Sequence, residues 1–225
     1  MLLISDYDDI IEPGRTLIVG SFLVLIIGAF LIAILTLVKR GKTEVKASRA
    51  YLLGISLFAT VFGFGRLVLL YHDYAAPDVL DDLLYRVGAG LSLAGFTILT
   101  FTIETFIFTR TKKVISIIGV ICILLLAFAP KDIGTPAFVG GNIIVTVLPF
   151  FIYIYIARIS TGIVRKQAAF IILGMIMLFI SLLGGAVLYT MGFLDRLWSQ
   201  LFGIIFSLAG LILLSYGFVK SPTAA

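Results

Sequence analysis

The chain has a single cysteine, Cys122, and a single histidine, His72. One cysteine excludes an intramolecular disulfide and any iron–sulfur or multi-cysteine metal centre. One histidine excludes bis-histidine haem ligation and three-histidine zinc chemistry within the chain. Charge is scarce too: only 13% of residues are Asp, Glu, Lys or Arg, against about a quarter in a soluble domain. No serine–histidine pairing, HExxH or phosphate-binding glycine loop is present; no enzyme is expected. The middle of the last apolar run, Ile205–Ile212, holds Ser207 and no lysine, which rules out a retinal Schiff base there. No cofactor and no metal are expected.

What is present is apolar surface. Hydrophobic residues make up 61% of the chain and the mean hydropathy is +1.19, too little polar surface to coat a water-soluble globule. The apolar runs are continuous and helix-length, not short and alternating, so the class is an all-α integral membrane protein in a lipid bilayer. Seven spans are predicted, at roughly 16–38, 50–71, 85–109, 114–129, 137–157, 168–191 and 197–219, forming one domain. Pro13 suits the first turn of span one. Pro130 and the following KDIGTP are read as a turn that stops span four, the shortest.

Charge tests this count independently. The first, third and fifth loops with the tail hold Lys39, Arg40, Lys42, Lys46, Arg49, Arg110, Lys112, Lys113, Arg158, Arg165, Lys166 and Lys220, against Glu44 alone. The alternate segments hold nearly all the other acidic residues, and a missed or invented span would break the alternation. By the positive-inside rule the N-terminus is outside and the C-terminus cytoplasmic in a multi-pass protein of the cell membrane. The basic pI near 9.4 therefore reflects one membrane face and not a nucleic-acid partner.

The third span carries most of the polar signal. Along Tyr85–Lys113, the residues Gly90, Thr97, Thr100 and Glu104 fall roughly one above another at helical spacing. A small and polar stripe on an apolar helix faces other helices and not lipid, which makes this the central helix. Glu104 has two readings: an interfacial carboxylate reaching towards Arg110, Lys112 or a loop arginine, or a buried polar or proton-binding group. Arg66, beside Gly63 and Gly65, reads as an anion-coordinating arginine at an outer cavity or as a structural ion pair with Asp73, Asp81, Asp82 or Asp195. The ion pair is the expectation, because intramembrane charges are ordinarily paired.

Other candidates are simpler. His72, beside Asp73 at the outer interface, is a proton sensor or, more ordinarily, a solvated helix end. Asp78, Asp81 and Asp82 match no EF-hand spacing and suit a helix start. Asn142 is a further intramembrane polar group in span five, where Pro149 removes a backbone donor and should kink the helix, with Thr146 or a neighbouring helix covering the freed carbonyl. Tyr153, Tyr155, Tyr189, Trp198 and Tyr216 read as interfacial anchors, and Cys122 as buried packing. Gly203 with Ser207, and Gly88 with Ser92, offer small-residue faces for contact with other chains. Spans one to three share no motif with spans five to seven, so an internal repeat is unsupported.

The pieces LGISLFATVFGFGRL, TIETFIF-TRTKK and ARISTGIVRKQAAFIILG, across spans two to six, resemble motifs of uncharacterised archaeal seven-transmembrane proteins. They are similar, more loosely, to the seven-helix N-terminal sensor region of archaeal histidine kinases. In both groups a basic patch with glutamine, here Arg165, Lys166 and Gln167, opens span six. In the kinases span seven feeds a cytoplasmic signalling domain, whereas Ala225 ends this sequence, so the resemblance implies signal transduction through a partner. The expectation is a non-enzymatic, sensor-like or accessory subunit acting through other membrane proteins or a homo-oligomer. The alternative is a small-solute or proton-coupled transporter using Glu104, Thr97, Thr100, Asn142 and the Pro149 kink.

Overall fold

Seven α-helices make up nearly all of the described residues, in the order α1 Gly14–Gly41, α2 Lys46–Ala75, α3 Asp81–Phe106, α4 Val114–Phe128, α5 Lys131–Ile159, α6 Gly162–Thr190 and α7 Arg196–Val219. The computed structural model describes residues 14–75, 78–107, 109–193 and 195–219, and no strand occurs among them. Pro13, Pro77, Lys220 and the acidic N-terminus lie outside the described residues, as do the side chains of Asp78 and Tyr189.

Six of the helices are long and apolar enough to cross a membrane; α4, at 15 residues, is the shorter one. Several helices run past their apolar stretches, because a helix keeps satisfying its backbone after its side chains turn polar. The segment KDIGTP shows this most clearly. Instead of a turn it is the start of α5, with Pro130 as N-cap and its carbonyl accepting from Ile133 N and Gly134 N at 3.0 and 2.8 Å. The third helix ends at Phe106, ahead of the predicted boundary. A 3-10 turn, Thr109–Thr111, and two left-handed lysines, Lys112 and Lys113 at φ 48° and 66°, then reverse the chain into α4.

Consecutive helices pack side by side, α7 closes back onto α1, and α3 also meets α5 across the ring. That places α3 inside: 61% of its most apolar window is buried, the largest share of the six long helices. The α2–α3 seam depends on small residues. A Cβ on Gly65 would lie 2.8 Å from Ser92 N, and one on Gly88 2.7 Å from Leu69 Cγ, so any side chain there forces the helices apart. Phe58, Phe62 and Phe96 fill the space beside this seam with ring centroids 5.6–5.9 Å apart. Gly174 and Gly210 make a similar close approach between α6 and α7.

Two expectations about surface faces are corrected here. Gly88 and Ser92 lie against α2, and Ser207 of α7 bonds Ser181 of α6, whose hydroxyl also donates to Gly203 O at 2.6 Å. These small residues serve seams inside the bundle and not contacts with another chain. Tyr153 is no interfacial anchor either: it is 3% exposed, and its hydroxyl bonds that of Tyr51 on α2 at 2.8 Å. Tyr155, Trp198 and Tyr216 do lie on the surface, and Cys122 is half-buried against Gly141. Outward-facing Leu17, Val24, Ile27 and Leu31 on α1, with Ile117, Ile121 and Leu124 on α4, present an apolar exterior suited to lipid. The molecule is a multi-pass, all-α membrane bundle.

Candidate functional site

Two polar groups of α3, Glu104 and Thr100, are committed to neighbouring helices. Glu104 is 1% exposed. Its carboxylate accepts from Ile115 N at 3.3 Å, from Ser116 N at 3.0 Å and from the Ser116 hydroxyl. Those two amides belong to the first turn of α4, where backbone donors have no partner in their own helix. A carboxylate there also meets the positive end of the helix dipole. Glu104 is thus an N-terminal cap supplied by another helix. The interfacial ion pair, one of its two readings, is not formed among the described residues: Lys113 lies over the Phe101 ring at 4.7 Å, and Arg110 and Lys112 are exposed.

The far end of α4 is held in the complementary way, by a residue that sequence reasoning missed. Arg86 of α3 donates from Nη1 to Leu126 O and Ala129 O, at 3.0 and 2.7 Å, while its Nε donates to Asp82 at 2.7 Å. These carbonyls lie at the C-terminal end of α4, where orphan acceptors and the negative dipole end favour a cation. An acid in the last turn of α3 and a base near its start therefore clamp both ends of α4. Only the antiparallel packing brings these partners together; Arg86 alone, one residue inside an apolar run, was the available signal.

Thr100 answers the question posed by Pro149. The proline lies inside α5 and has no N–H for the carbonyl of Val145, four residues back. The Thr100 hydroxyl donates to that carbonyl at 2.7 Å. The partner comes from α3, as a neighbouring helix was expected to provide, and not from Thr146. Thr97 donates to Leu93 O at 2.8 Å within its own helix and packs at Gly119 of α4. Asn142 donates to Phe138 O at 3.0 Å within α5. Each of the three thus donates to a backbone carbonyl.

Arg66 is different. The four carboxylates expected to pair with it are engaged elsewhere. Asp73 and Asp81 bond His72, Asp82 takes Arg86, and Asp195 accepts from Trp198 N. Among the described residues Arg66 makes no ion pair, and its buried Nε has no hydrogen-bond partner. The guanidinium sits over the Phe62 ring, 4.9 Å from its centroid, and Asp73 acts on it only through its field. It lines a cavity at the meeting of α2, α3, α5, α6 and α7, with Phe62, Phe96, Thr146, Phe179 and Ser207. The cavity leaves about 10 Å³ for the centre of a water-sized occupant, room for about one water.

His72 is also not the solvated helix end expected of it. Its side chain is only 4% exposed. Nδ1 lies 2.7 Å from Asp73 Oδ1 and Nε2 lies 2.9 Å from Asp81 Oδ1, so the ring joins the end of α2 to the first turn of α3. Tyr85 packs beside it with ring centroids 5.9 Å apart. At the other end of the bundle Arg165 and Lys166 are exposed in the first turns of α6, with Gln167 half-buried behind them. No group of three or more metal-ligating side chains occurs among the described residues. No protein-family model matches this chain, and no curated protein or solved structure matches it either.

Proposed function

We propose that the chain is a non-enzymatic seven-helix protein of the cell membrane, a sensor-like or accessory subunit that acts through contacts with other membrane proteins. One observation carries this reading. The intramembrane groups that a transport path would use are spent on the bundle itself: Glu104 on α4, Thr100 on α5, Thr97 and Asn142 on their own helices. Arg66, which lines a cavity, faces room for about a single water. The likeness of the quoted motifs to archaeal sensor regions favours the sensor-like form.

Seven spans, with the N-terminus outside and the C-terminus cytoplasmic, are part of the proposal. The short α4 is tied at one end to Glu104 and at the other to Arg86, and from Arg86 to Glu104 α3 rises about 27 Å at 1.5 Å per residue. That distance approaches the hydrocarbon thickness of about 30 Å, which supports α4 as a span. The sided charge supports the orientation.

Purification from native membrane in mild detergent, followed by mass analysis, tests the reading. A defined set of co-purifying membrane subunits is expected. A lone chain or a simple homo-oligomer would overturn it.

A further inference from the structure

We propose that His72 is a proton-binding site facing the outer side of the membrane, and that its occupancy controls whether α2 and α3 are clasped together. The geometry sets up the requirement. Both ring nitrogens lie within 2.9 Å of a carboxylate oxygen, Nδ1 of Asp73 and Nε2 of Asp81. A charged imidazole has two N–H donors and satisfies both contacts. A neutral one has a single donor, and its other nitrogen turns a lone pair towards the second carboxylate. Both contacts therefore persist only while the ring holds its second proton, and one must open when that proton leaves.

Burial decides which. Asp81 is 50% exposed, so water replaces the ring at little cost, whereas Asp73 is 7% exposed and lies in the field of the Arg66 cation. The neutral ring keeps its Nδ1–H on Asp73 and releases Asp81. The groups facing His72 are Asp73 on α2, itself in the field of Arg66, with Asp81 and Tyr85 on α3. Asp82, the other acid of the first turn, is held by Arg86. Sign and direction follow: acid closes the clasp, and base opens it at Asp81.

Release reaches beyond the loop. Arg86 lies little more than one turn after Asp81 and holds the last carbonyls of α4, so freeing the first turn of α3 loosens the outer end of α4 as well. Proton binding at His72 does not depend on the sensor-like reading; its use as the stimulus does.

His72 is the chain's one histidine, so ¹⁵N-histidine labelling of the full chain in lipid nanodiscs gives a single pair of ring signals. Across a titration from acid to base, a doubly protonated ring is expected at the acid end and an Nδ1–H ring at the basic end. Amide exchange in the first turns of α3 should rise several-fold through the same titration. His72→Gln should remove the pH step in exchange. A neutral ring protonated on Nε2, or exchange with the same pH dependence in wild type and His72→Gln, would overturn the proposal. The full set of expected changes in a chain that purifies alone would support the proton site while sinking the sensor-like reading.

Discussion

Pro149 takes away the N–H that Val145 O would accept, and the Thr100 hydroxyl replaces it from the neighbouring helix. A pair of this kind is measurable as a coupling. Thr100→Val leaves a buried carbonyl unmet and should cost about 1–3 kcal/mol. In a Pro149→Ala background the restored N–H bonds Val145 O, so the same substitution should cost less, with a coupling of about 1 kcal/mol or more. Unfolding of the four proteins in mixed micelles reads this directly, and additive losses would show that the two residues are independent. Arg66 calls for the opposite test. A buried cation without an ion pair gains from apolar replacement of similar volume, so Arg66→Met should leave the thermal midpoint unchanged or raise it. A fall of several degrees would reveal a bound counter-charge.

Among the elements, α4 depends most on others for its ends. Its outward face is apolar and its buried residues are few: Ser116, Gly119 and Leu126. Side chains of α3 hold it, an acid at its N-terminus and a base at its C-terminus. Glu104→Gln keeps one acceptor oxygen but loses the charge at the helix start, and should cost about 1–2 kcal/mol, the range for loss of a strong cap. Arg86→Gln should speed amide exchange in the last turn of α4 while leaving its first turn unchanged. Equal exchange at both ends would mean that the clamp is a single unit. The helix itself was legible as an apolar run between Lys113 and Pro130. Its anchoring was not, because a cap drawn from another helix has no fixed sequence spacing. The boundary errors have a similar origin: hydropathy marks where apolar side chains stop, whereas Pro130 and Lys131 show where backbone bonding starts.

At the scale of the whole molecule, the helical runs and the inward position of α3 were visible in composition and in one polar stripe. What those polar residues hold was not, since the same stripe of Thr97, Thr100 and Glu104 suits a solute path or a set of interhelical ties. The ties become visible only once Val145 O is seen to accept from Thr100 and the first amides of α4 to donate to Glu104. Arg66 misled for the same reason, because four carboxylates on the expected side each found another donor. The central claim is that these groups hold the bundle together and conduct nothing. Proton flux into proteoliposomes carrying wild type or Glu104→Gln tests it most directly. Neither protein should exceed protein-free vesicles, even though Glu104→Gln is the less stable. A wild-type flux lost in Glu104→Gln would contradict the claim and make Glu104 a proton carrier.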